Sequence, residues 1–304
     1  MSYRTILAVI NEQTSSTISA LYALALAVSC KSALVLYSSS PQRSSDQTRR
    51  GTEHHLDHLF RQADELGVEV SRISETGDLT RLLSKRVTAE KADLVFYPLA
   101  PDERYGAVIR QQTVHRLLRA IPVDVVVTRV IQMAKPHPRR ILVPLGGVIE
   151  QPDRLTAFLF LLADSFQARI TLFHRNSAAR KGSAAVIPEA ILHLQDKLLR
   201  KKLPVDIRSG FGHIGKAISL SAITHHHDLI VMGASRLSIL NRILHGNTAA
   251  DVLSHPPCNT LLFRPCCAAS AANCRGDCPA TVGELSDDWH VSQTWCQYGL
   301  PGQG

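Results

Sequence analysis

Residues of like kind recur along this chain at one fixed separation, and that periodicity limits the possible folds more than any other feature. Arg4, Ile6 and Leu7 answer to Arg139, Ile141 and Leu142, with 139 − 4 = 135. At the same spacing Val70 meets Val205, Gly77 meets Gly212, and Asp93 and Leu94 meet Asp228 and Leu229. Leu118 likewise meets Leu253, Pro122 meets Pro257, and Arg129 meets Arg264. A period this long is the size of a domain, so it denotes a duplicated fold and not a stacked solenoid. The 304 residues leave room for two domains that each bury a core without metal or disulfide. Two prolines and three cations in MAKPHPRR, residues 133–140, interrupt the pattern. The expected domains are 1–132 and 139–265, followed by a tail over 266–304.

Within each copy, short apolar runs alternate with longer amphipathic segments. In the first, TILAVI, ALVLY, VEVSRI, DLVFYPL and VDVVVT read as strands, with helices over about 16–29, 49–66, 79–90 and 108–120 between them. The helix at 49–66 sets Leu56, Leu59, Phe60 and Ala63 on one side. RILVPL, ARITLFH, PVDIRS, DLIVMGA and NTLLFR repeat the order in the second copy. Near-continuous Val, Ile and Leu strands are buried on both faces. With helices between them they predict an α/β architecture of two tandem doubly wound parallel sheets, Rossmann-like in each half.

Ligands of such sheets sit beyond the carboxyl ends of the strands, where the strand order reverses, so the loops after the first and fourth strands matter most. After the fourth strand of the second copy stands GASRLSILNRILHGNT, beginning at Gly233. Glycines let a backbone approach a phosphate, and free amides at a helix start point at it. Gly246, Asn247 and Thr248 offer such a start. This segment resembles the universal stress protein family, whose ATP-binding members carry Gly-x-x-Gly-x9-Gly-Ser/Thr there. Gly233 fits the first glycine, Arg236 stands at the second, nine residues follow, Gly246 fits the third, and Asn247 stands for Ser or Thr. The Arg236 guanidinium can pair with a phosphate or fill the space a phosphate needs.

The resemblance covers residues 1–265 and implies an adenine nucleotide alpha hydrolase-like fold. It implies nucleotide contacts at Val143, Pro144, Gly146 and Met232 as well, with ATP or another adenine nucleotide as the ligand. Family members usually read VPxD after the first strand; here Gly146 replaces the acidic residue, and Asn11 takes its place in the first copy. In the first copy Pro98, Pro101 and Gln111 stand where Gly233, Arg236 and Gly246 stand in the second, so the glycine loop is gone.

Other constellations point to bland roles. The formal charge of +8 is spread through the chain with acids interleaved, and no aromatic-rich strand accompanies it, which argues against a nucleic-acid groove. No run approaches the ~20 apolar residues of a membrane span, and MSYRTILAVINEQ lacks signal-peptide regions, so a cytoplasmic protein with reduced thiols is expected. His54 and His58 lie one helical turn apart but have no third ligand nearby, so a solvated face is expected and no metal. His225, His226 and His227 are expected to cap a helix end. Cys267, Cys274 and Cys278 with His290 lack paired Cys-x2-Cys spacing, and the tail reads as disordered or loosely packed. No phosphate loop of the Walker type, nucleophile elbow or dinucleotide fingerprint occurs, so catalysis is not indicated.

Two functions remain open. One is an adenine-nucleotide sensor using the second copy. The other is a nucleotide-free module, with a protein partner or self-association, whose halves pair through VDVVVT and NTLLFR as the resemblance to family dimers suggests. Loss of the acidic residue in both copies, and of the loop glycines, favours the second.

Overall fold

A computed structural model of the chain describes residues 3–99, 111–133, 137–146, 149, 151–176, 187–233, 252 and 256–266. Its first half runs β1 (Thr5–Ile10), α1 (Thr14–Cys30), β2 (Ala33–Ser40), α2 (Asp46–Glu65), β3 (Val70–Thr76), α3 (Leu79–Ala89), β4 (Leu94–Pro98), α4 (Gln111–Ala120) and β5 (Asp124–Arg129). The second runs β6 (Arg140–Leu145), α5 (Pro152–Phe166), β7 (Arg169–Arg175), α6 (Glu189–Arg200), β8 (Val205–Gly210), α7 (Ile214–Thr224), β9 (Leu229–Gly233) and β10 (Asn259–Arg264).

The recurring residues have structural reasons. The Asp93 carboxylate accepts from the backbone N–H groups of Arg4 and Thr5 at the start of β1, and Asp228 accepts from those of Arg139 and Arg140 at the start of β6. Each aspartate thereby ties a fourth strand to a first strand. Gly77 and Gly212 take φ of +146° and +81° just before α3 and α7, a backbone region that side chains resist. Alanine at Asp93 or Asp228 is expected to cost about 1–3 kcal/mol, since it orphans strand-end amides; urea unfolding of the two variants checks this.

The strand order is β3-β2-β1-β4-β5-β10-β9-β6-β7-β8. Within each half all pairings are parallel, as expected, but the halves are joined into one sheet. β5 and β10 run antiparallel, with Thr260 against Arg129, Leu262 against Val127 and Arg264 against Val125. Both strands are buried along their whole length. The expectation of burial on both faces fails at the outer strands. VEVSRI and PVDIRS form the edges of the sheet, and most positions of β3 and β8 are partly or fully exposed. An edge strand has one neighbour and a helix near only part of its surface, which a short apolar run does not reveal.

One hydrophobic core spans both halves on the face covered by α1, α2, α5 and α6. There Phe158 stacks on Phe263 at 4.1 Å and 2° between planes, and Tyr22 meets Phe166 edge-on at 5.7 Å. Polar groups finish the junction. Asp124, fully buried, accepts from Tyr3 Oη at 2.8 Å, Arg154 Nη2 at 2.7 Å and the backbone N–H of Cys266 at 2.6 Å. Burial and the neighbouring carboxylate push the Tyr3 phenol far above its ordinary range, so it stays a donor. At the equivalent place in the other half, Asn259 accepts from the amides of Ile131 and Gln132 and donates to Tyr22 Oη. Among the described residues no helix is long and apolar enough to cross a membrane.

The triple histidine ends α7. His225 is its C-cap, His226 takes φ of +51°, and His227 turns inward to 7% exposure. Burial holds the His227 imidazole below its ordinary 6.5, so the unfolded chain binds a proton more readily than the folded one. Stability from this group is therefore complete above pH 6.5 and declines as pH falls below it. The melting temperature is expected to drop on acidification through that range, and His227→Gln to flatten the drop; identical pH profiles for both proteins count against it. His54 and His58 are exposed on α2.

Candidate functional site

Reversal of strand order occurs between β1 and β4 in one half and between β6 and β9 in the other. Both ladders are short. β6 and β9 pair only at Ile141–Leu229 and Leu142–Ile230, whereas β6 and β7 pair through six residues from Arg140 to Leu145. The β6–β9 ladder ends at Leu142 and Ile230, and ligands of such sheets sit at the mouth beyond a switch point of this kind. Val143 and Pro144 continue β6 past that end, and Met232 and Gly233 end β9.

Gly146 and Gly233 are exposed, and a Cβ built on either meets no atom of the described residues within 4 Å. Neither glycine has the left-handed φ that only glycine tolerates easily. What the missing side chains leave is room beside the backbone. Val143, Pro144 and Gly146 thus follow one another on β6 and just after it, and Met232 and Gly233 end β9. Arg236, Gly246, Asn247 and Thr248 lie outside the described residues, as do Pro101, Cys267, Cys274, Cys278 and His290.

His174 was not singled out from the sequence. It sits next to Leu145 in the β6–β7 register, near the same mouth, and is 2% exposed. Neither ring nitrogen has a hydrogen-bond partner among the described residues. Buried imidazoles normally satisfy at least one nitrogen, which sets this side chain apart among the described residues. A polar residue ending the apolar run ITLFH, on the strand beside the first, was the available signal.

The matching mouth in the first half is closed by its own side chains. The Asn11 amide donates to Ser16 Oγ at 3.2 Å, and its side-chain oxygen accepts from the Gln13 N–H at 3.0 Å. The Asn11 carbonyl accepts from Ser16 Oγ and lies 3.0 Å from His55 Nδ1 of α2. Every polar group of the Asn11 backbone is thereby used, and α2 leans over the loop. Gly51 of α2 comes so near that a Cβ on it stands 3.5 Å from Glu12 Cβ. Pro98 ends β4 beside Thr128, and Gln111 opens α4.

Residues 137–264 match the model of the Universal stress protein family. Among solved structures, a universal stress protein from Archaeoglobus fulgidus DSM 4304 superposes with a TM-score of 0.61 at 14% identity, covering 86% of this chain and 96% of that one. A functionally unknown protein from Pseudomonas aeruginosa PAO1 gives 0.58 at 20% identity, covering 86% and 93%. A universal stress protein in complex with cAMP spans 42% of this chain and 98% of its own, with a TM-score of 0.34 at 16% identity. A search of curated proteins finds no match. The family match and the mirrored strand order meet here: residues 137–264 are a universal stress protein domain, in a chain that carries this α/β fold twice in tandem.

Proposed function

We propose that this chain is a non-catalytic regulatory and interaction protein of the universal stress protein type, acting in the cytoplasm. Its domains are residues 1–132 and 139–265, and the join between β5 and β10 stands in for the pairing of separate subunits. The observation that carries the reading is the first half's loop after β1, where Ser16 and His55 take up both backbone groups of Asn11. Neither half keeps a carboxylate at the position where the family usually has one, since Asn11 and Gly146 stand there, which weakens the hold on a metal-bound nucleotide.

A second reading has its own support, an adenine-nucleotide site in the second half. The short β6–β9 ladder, the exposed Gly146 and Gly233, and His174, which lacks a hydrogen-bond partner among the described residues, suit a ligand that brings its own hydrogen-bond groups. Mass spectrometry of ligand extracted from purified protein, followed by calorimetric titration with ATP, separates the two. The interaction reading expects no bound nucleotide and no heat at millimolar ATP; saturable heat sinks it. If heat appears, Gly246→Val should abolish it by blocking backbone approach, and an unchanged affinity places the ligand elsewhere.

A further inference from the structure

The two outer ends of the sheet are built from equivalent elements, but the helices beside them differ, with Asp57 and Asp64 on α2 and Leu192 and Leu199 on α6. At the first end Asp57 of α2 forms an ion pair with Arg72 of β3, and Glu75 of β3 pairs with Arg86 of α3 at 2.5 Å. Both charges of β3 are therefore matched by helix side chains of their own half. At the other end the repeat places Leu192 where Asp57 stands, Ile207 where Arg72 stands and Leu199 where Asp64 stands. Leu192 and Leu199 are 45% and 48% exposed.

Among the described residues β8 pairs with β7 alone. Lys197 of α6 reaches Asp153 of α5 at 2.6 Å, so that side of α6 faces α5 and not β8. Gln195, on the same stripe as Leu192 and Leu199, donates instead to the Val205 carbonyl of β8 at 3.4 Å. In β8 itself, the Pro204 carbonyl just before it and the Gly210 carbonyl at its end accept from Ile170 and Asn176 beside β7. Backbone groups alternate along a strand, so Val205, Ile207 and Ser209 turn their N–H and C=O away from β7.

We propose that this edge is a self-association surface on which a second copy of the chain docks, β8 against β8 and antiparallel, about a twofold axis at Ile207. That centre sets Ile207 opposite Ile207 and Val205 opposite Ser209, so all outward amides fall at hydrogen-bonded positions. It also sets Asp206 of one copy opposite Arg208 of the other, twice, at the closer non-hydrogen-bonded positions. Centres at Val205 or Ser209 keep the hydrogen-bond parity but put Asp206 against Pro204 or Gly212, so both ion pairs are lost. Charge complementarity therefore selects one register, and Leu192 and Leu199 of both copies cover its α6 side. The proposal rests on the reading of the chain as an interaction protein and supplies its partner.

Sedimentation velocity of the full chain over a micromolar concentration series, without nucleotide, tests it separately from the ligand question. The expected result is a concentration-dependent dimer. Asp206→Arg sets like charges opposite each other and is expected to weaken dimerisation at least about tenfold, as is Leu192→Asp, which installs the first half's residue. Asp206→Arg combined with Arg208→Asp restores opposite charges and should recover the dimer, which a misfolded variant could not do. Hydrogen exchange at Ile207 and Ser209 should slow as the dimer forms. A chain that stays monomeric overturns the proposal and leaves the edge to a strand of another protein; a dimer indifferent to Asp206→Arg overturns it as well.

Discussion

Asp124→Ala is expected to destabilise the fold by about 3–5 kcal/mol, the cost of removing one member of a buried charge pair. The carboxylate has no exposed surface, and its three partners come from different parts of the chain: Tyr3 before β1, Arg154 in α5 and Cys266 after β10. Alanine leaves a polar hole beside the Arg154 guanidinium, whose side chain is only 23% exposed. Asp124→Asn keeps the shape and an acceptor oxygen and places at this position the residue the second half already has at Asn259. It should therefore cost clearly less than alanine. Urea unfolding of both variants decides the matter, and a loss below about 1 kcal/mol for alanine contradicts a junction held by this carboxylate.

Phe158→Ala is expected to cost a similar amount, about 3–5 kcal/mol, through lost burial and the cavity left behind. Phe158 is fully buried and stacks face to face on Phe263, so truncation empties space between α5 and β10 at the seam of the halves. Because one core runs under both halves, the loss should move a single unfolding transition and not split it. Calorimetry of the wild type and the variant checks both parts. Two well-separated transitions in the wild type contradict a shared core, and an unchanged midpoint in the variant contradicts the stack.

Much of the architecture was legible in the residues because its causes are local. Apolar runs of five to seven residues separated by amphipathic stretches mark buried parallel strands and covering helices, and the repeat doubled each observation. Asp93 and Asp228, seen only as recurring letters, turn out to begin the sheets by capping strand amides. Of the candidate residues, Val143 and Pro144 fall in β6, Gly146 just after it, and Met232 and Gly233 at the end of β9. His174 was missed because its significance is the lack of a partner, which depends on everything packed around it. The closure of the first mouth by His55 was equally hidden, since His55 is 44 residues from Asn11.

The amino-acid sequence by itself determined the duplication, the strand and helix order and the loss of the first glycine loop, because pattern, propensity and spacing are properties of neighbouring residues. Tertiary structure alone decided that the two copies share one sheet and one core. The join of β5 to β10, the Asp124 cluster and the ion pairs at the β3 edge all depend on which distant residues meet. That choice is made by packing, since a buried carboxylate, a stacked ring and a free strand edge acquire their energies only from neighbours the fold brings to them.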